Sequence, residues 1–250
     1  MFSKPNSETA CGMFTLPHII SLIFCLLLIA LAVYLSRKFD EGKIKKTTKI
    51  MAYVFTIWEI CKIAFKLSIG EFYFFDHWIP LYYCSLFIVA LWLCAYGKGY
   101  AYKLGEAFIL GGCILGGVAF LVVPTTSLMD YPVYHFLSIH SMLFHSSMVY
   151  MGILYIFKHQ THLGKDTYLK YAAFVGGVCV FAIILNLITG ENFMIVSSPV
   201  NIPVKIINSL SEACPWLYTV CVTVLYVTLP FGISKCIKAL INKITNTRMR

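Results

Sequence analysis

The sequence predicts an all-α, polytopic membrane bundle of seven transmembrane helices, with the N-terminus outside and the C-terminus in the cytoplasm. Three observations carry this. Of the 250 residues, 59% are hydrophobic and only 12% are charged, with a mean hydropathy of +0.79, too little charge to cover a soluble domain. The apolar residues come in blocks of roughly 20, the length that crosses a ~30 Å hydrocarbon core. The cations, finally, crowd into alternate connections between those blocks.

The blocks place spans near residues 17–36, 50–69, 78–97, 104–123, 133–157, 168–189 and 213–234. They are continuously apolar, whereas barrel strands alternate over ~10 residues, so helices are the spanning form. The chain reads as one seven-helix domain over 1–250. The first block is followed by Arg37 and Lys38 without a small-residue cleavage site, so it is expected to stay as a span. The fourth is rich in glycine, with Gly112 and Gly116 at i and i+4. Small residues at that spacing let helices approach closely in lipid.

Orientation follows from charge. Arg37, Lys38, Lys43, Lys45, Lys46 and Lys49 follow the first block. Lys98 and Lys103, then Lys158, Lys165 and Lys170, fall in the next alternate connections. Lys235, Lys238, Lys243, Arg248 and Arg250 lie in the tail, making sixteen of the 20 cations on one side. Cations stay cytoplasmic. The other side holds most acids: Glu8, Glu71, Asp76, Asp130, Glu191 and Glu212. A cell-membrane, multi-pass protein is expected. The net charge of +9 is thereby explained by topology and anionic lipid, not by nucleic acid. Most of the ten cysteines sit inside apolar blocks as packing residues. No CxxC pair appears, so neither a metal site nor a cofactor is expected. Cys11 and Cys214 both fall on the outer side, which leaves a pairing between them open.

Ionisable and polar residues inside spans are costly, and each asks for a partner or a task. Glu59 and Lys62 are i,i+3 neighbours near the middle of the second span, either a structural ion pair or a binding-site carboxylate or proton carrier. The third span opens with Asp76-His77-Trp78 and continues through Pro80, Tyr82, Tyr83, Cys84 and Ser85. Cys84 lies about six residues inside, roughly 9 Å deep; Tyr82 and Tyr83 read as interface-belt aromatics. The fifth span carries His135, His140 and His145. Five-residue spacing turns a helix by ~140° beyond a full circle, so the three do not all face one site. His140 matches Cys84 in depth, while His145 lies nearer mid-membrane. Asn186 and Asn192 fall near the outer end of the sixth span, and His18 opens the first. If these residues face inward, they line a polar pocket that opens outward.

In this order the residues resemble the YwaF-type bacterial integral membrane proteins, a family related to a eukaryotic transmembrane phospholipid acyltransferase. The resemblance rests on Pro17-His18; Glu59; Pro80-Leu81-Tyr82-Tyr83-Cys84-Ser85; the glycine-rich stretch from Gly111 to Pro124; His145; Asn186, Thr189, Gly190, Asn192 and Phe193; and Pro215, Trp216 and Tyr218. It covers nearly the whole chain. Tyr82 stands where the family has histidine, and Phe193 where it has tyrosine. In the eukaryotic relative the cysteine follows the proline directly, whereas here Leu81 does.

The resemblance implies lipid acyl transfer, with membrane lipids as partners. Cys84 would then be a nucleophile with His145 or His140 as base, or His145 would activate a lipid hydroxyl directly. Glu59, Tyr82, Asn186, Asn192 and His18 would bind substrate, and Asn186 or Asn192 would supply an oxyanion donor. The alternative is a small ion-coupled transporter or solute-binding protein built on Glu59 and Lys62, although no internal repeat is visible. No lysine suited to a retinal pigment appears in the seventh span.

Overall fold

The computed structural model describes Phe2, Lys4 and residues 9–70, 79–158 and 163–248, with side chains as far as Lys243. Glu8, Glu71, Asp76, His77, Trp78 and Arg250 lie outside the described residues. Everything regular among the described residues is helix. The long elements are α1 (Leu16–Ser36), α2 (Glu41–Ser68), α3 (Leu86–Tyr96), α4 (Gly99–Val122), α5 (Phe136–Lys158), α6 (Lys165–Thr189) and α7 (Pro215–Arg248). A single turn at Ser127–Asp130, a 3-10 turn at Phe193–Ile195 and a short helix at Lys205–Ala213 lie in the connections.

Five helices are long and apolar enough to cross a membrane: α1, α4, α5, α6 and α7. Two predicted spans differ from that description. The second was placed at 50–69, but α2 begins at Glu41, where Asp40 caps it by accepting from Lys43 N at 2.8 Å. Hydropathy marks the apolar band, while the helix continues through Lys43, Lys45, Lys46 and Lys49 beyond it. The third was placed at 78–97, yet α3 starts only at Leu86 and has 11 residues, about 16 Å at 1.5 Å per residue. Pro80 and the turn at 83–85 precede it. The seventh likewise runs past 234 to Arg248.

α4 and α5 are mostly buried, while α1, α6 and α7 are mostly exposed and turn apolar side chains such as Ile20, Leu27, Ile188 and Val220 outward. α4 packs against α5, α3, α7 and α6; α2 leans on α3, and α1 on α5. Gly117 of α4 explains the tightest approach: a Cβ there would stand 2.6 Å from the His145 carbonyl oxygen of α5. Hydrogen bonds stitch the helices together. Trp92 Nε1 donates to Thr56 Oγ1 at 2.8 Å, Ser234 Oγ donates to the Gly111 carbonyl at 3.1 Å, and Thr48 Oγ1 meets Tyr155 Oη at 3.0 Å. α6 ends at Gly190 in the left-handed conformation (φ 76°), which releases the chain into the 190–204 connection.

Candidate functional site

A cavity of about 670 Å³ is lined in part by the 123–135 and 190–214 connections at one end of the bundle, where Asp130 and Asn201 are exposed. Its walls come from α2, the non-helical stretch before α3, and α4, α5 and α7. Non-helical backbone at membrane depth is tolerated where it lines a cavity. Residues 82–85 do so: the late start of α3 places Tyr82, Tyr83, Cys84 and Ser85 on the cavity wall.

Tyr83 is held in a slot made by α4. A Cβ at Gly112 would stand 2.6 Å from Tyr83 Oη, and one at Gly116 would stand 2.7 Å from Tyr83 Cε1. These two glycines accommodate the Tyr83 ring and also meet neighbouring helices: the same added Cβ would stand 3.2 Å from Tyr171 Cε2 of α6 at Gly112 and 3.3 Å from Met148 Cε of α5 at Gly116. A hydroxyl relay continues from there. Pro230 has no N–H, so the Tyr226 carbonyl four residues earlier loses its helical donor. Tyr171 Oη of α6 donates to that carbonyl at 2.7 Å, and Tyr83 Oη in turn donates to Tyr171 Oη at 2.8 Å. Tyr83, Tyr226 and Pro230 all line the cavity.

α5 supplies two imidazoles. His145 Nδ1 lies 2.7 Å from the Ser141 carbonyl oxygen. A carbonyl only accepts, so Nδ1 carries the proton and Nε2 keeps its lone pair. The ring stacks on Phe120 at 3.8 Å with planes 9° apart, which fixes its orientation. His140 packs edge-on to Trp58 at 5.0 Å and stacks on Phe144 at 5.8 Å. Its buried Nε2 has no hydrogen-bond partner among the described residues. The nearest anionic oxygen is Glu59 Oε2 at 3.7 Å, and Glu59 Oε1 pairs with Lys62 Nζ at 2.5 Å. Phe144 also meets His145 edge-on at 5.5 Å, so the two imidazoles flank one phenyl ring. His135 is fully buried outside the cavity lining, accepting from Leu137 N at 3.2 Å and stacked on Tyr131 at 4.1 Å.

Of the predicted site residues, Glu59, Tyr82, Cys84, His140, His145 and Asn192 line the cavity, whereas Asn186 and His18 do not. Asn186 instead clamps the following loop. Its Nδ2 donates to the Phe193 carbonyl at 3.1 Å and its Oδ1 accepts from Phe193 N at 2.8 Å. That clamp, with Met194 N donating to the Leu81 carbonyl at 2.8 Å, holds Met194 and Ile195 at positive φ (59° and 55°). A β-branched residue there is an outlier, and the clamp over-determines it. Asn192 sits on the rim with its amide committed to Ser197 N and Ser198. The side-chain amides of both asparagines are thus engaged within the 186–198 segment. His18 ties α1 to α4, Nε2 meeting the Leu121 carbonyl at 2.9 Å. Cys84 is a half-buried free thiol on the cavity wall. Cys11 and Cys214 are also free thiols.

Sequence reasoning passed over Tyr226, and treated Tyr83 as a belt aromatic. The available signal was Pro230, four residues after Tyr226 inside an apolar block. Among the described residues, no group of three or more His, Cys, Asp or Glu is placed to hold a metal.

The sequence pattern of the TMEM164 family matches residues 13–232. This stretch contains α1 to α6, the start of α7 and every cavity residue named above. The chain belongs to the TMEM164 family. With its apolar helices, this TMEM164-family protein is a multi-pass membrane protein. No curated protein and no solved structure matches the chain.

Proposed function

We propose that this TMEM164-family protein transfers acyl groups between phospholipids, with His145 as the general base. The reading is carried by one observation: His145 has its proton committed to the Ser141 carbonyl, so Nε2 keeps its lone pair on a residue that lines the cavity of about 670 Å³. In the reaction, Nε2 takes the proton of a lipid hydroxyl as that oxygen attacks the donor's ester carbonyl. The tetrahedral intermediate then expels the donor's glycerol oxygen, which leaves with the proton returned from His145. Leu115, Ala119, Phe120, Leu225 and Leu229 supply an apolar wall for the acyl chain. The resemblance to YwaF-type proteins and their acyltransferase relative points the same way.

This reading takes α2 and α3 as completing seven spans, in a single domain of the cell membrane with the N-terminus outside. The cavity then faces the outer leaflet. Its test is acyl exchange between defined phospholipids by purified protein in liposomes. His145→Ala should lower exchange about 100-fold or more, while Cys84→Ala should keep it within several-fold. If Cys84→Ala abolishes exchange as completely, a covalent Cys–His route replaces direct base catalysis. Wild-type protein that exchanges no acyl groups but moves a solute across the bilayer would sink the acyltransferase reading.

A further inference from the structure

Glu59, Lys62 and His140 form a polar cluster on the cavity wall, on the far side of Phe144 from His145. His140 is 4% exposed and its Nε2 makes no hydrogen bond among the described residues, where Glu59 Oε2, at 3.7 Å, lies beyond hydrogen-bond reach. A buried polar atom without a partner is costly to keep, and a partner entering through the cavity removes that cost. Resting on the acyltransferase reading, we propose that this cluster is the subsite for a neutral headgroup hydroxyl of the lipid substrate, as in a glycerol headgroup.

The chemistry of the cluster selects that group. Lys62 already neutralises Glu59, so a second ammonium would meet a like charge with no free carboxylate to balance it. A phosphate placed between Glu59 and His140 would face the carboxylate. A hydroxyl both donates and accepts, so with the imidazole proton on Nε2 it accepts from His140 Nε2 while donating to Glu59 Oε2. Position agrees. Both histidines belong to α5, and His140 is five residues nearer its N-terminal end, about 7.5 Å toward the cavity mouth. The headgroup of a lipid whose ester lies at His145 reaches that level.

The test compares two lipids of equal charge and headgroup length: phosphatidylglycerol and phosphatidylpropanol, which lacks the hydroxyls. Each competes with a fluorescent phospholipid for the purified full-length protein in mixed micelles. Wild type should favour phosphatidylglycerol about three- to ten-fold, the value of one net hydrogen bond. His140→Leu and Glu59→Gln should each bring the ratio to about one, while His145→Gln should keep it. His140→Leu removes an unpaired polar atom, so it should unfold no earlier than wild type, and Glu59→Gln provides an independent second arm.

Equal binding of the two lipids by wild type overturns the subsite, and so does a preference that survives both substitutions. Displacement of the fluorescent lipid by glycerol 3-phosphate alone, with no preference between the two lipids, assigns the cluster to a soluble polyol and overturns the headgroup assignment. A wild-type preference without acyl exchange leaves the subsite standing and removes the acyltransferase reading. Exchange without a preference does the reverse.

Discussion

Tyr171 Oη holds together groups from three helices or their leads. It donates to the Tyr226 carbonyl of α7 at 2.7 Å and accepts from Tyr83 before α3 at 2.8 Å. Tyr171→Phe therefore strips the donor from a carbonyl that Pro230 has already deprived of its helical partner, and it should cost about 1–3 kcal/mol. Pro230→Ala restores an N–H four residues after Tyr226. In that background the same Tyr171→Phe change should cost measurably less. Thermal unfolding of the four proteins in detergent gives the coupling directly; strictly additive losses would mean that Tyr171 does not compensate for the N–H that Pro230 lacks. At this scale the sequence showed which residue types were costly in lipid, but not their partners. Glu59 with Lys62 was visible from i,i+3 spacing. Tyr171 with Tyr226 joins positions 55 residues apart, a pairing that periodicity does not encode.

Among the elements, α4 shows that glycines with similar local sequence do different work. Gly112 admits the Tyr83 ring, and a methyl group there would come within 2.6 Å of its hydroxyl oxygen. Gly177 of α6 has nothing within 4 Å of the same position. Gly112→Ala should thus destabilise by about 1–3 kcal/mol through forced displacement of Tyr83. Gly177→Ala should stabilise by about 0.5–1 kcal/mol by stiffening an open helical site. Unfolding temperatures that move in the same direction for both variants would contradict the slot. Both glycines lie in continuously apolar blocks, so composition did not distinguish them. The short α3 was hidden for a related reason: hydropathy reports an apolar environment whether the backbone is helical or, as at residues 79–85, irregular against a cavity.

For the whole molecule, the expected orientation is open to a direct measurement. In a chain whose exposed Cys61, Cys214 and Cys236 are replaced by Ser, a cysteine introduced at Asp130 should react with an impermeant maleimide added outside cells. One at Lys165 should not. Both positions are exposed, so neither is protected by the fold itself. The reverse pattern would invert the bundle and turn the cavity toward the cytoplasm.

By itself the sequence determined that the chain is helical and crosses a membrane several times, because each apolar block must satisfy its own backbone hydrogen bonds in lipid. It also singled out Glu59, Cys84, His140 and His145, because ionisable and nucleophilic side chains are conspicuous in an apolar background. Their depth followed from counting residues. Only the tertiary structure decided which way those side chains turn. It placed His140 and His145 on one cavity despite their angular divergence, since the cavity wraps around α5 on both sides of Phe144. It withdrew Asn186 into a loop clamp and His18 into a tie to Leu121. Helix rotation is set by long-range packing, such as Gly117 against the His145 carbonyl and Tyr83 in its glycine slot. Those contacts depend on which helices become neighbours, which local spacing along one chain does not contain.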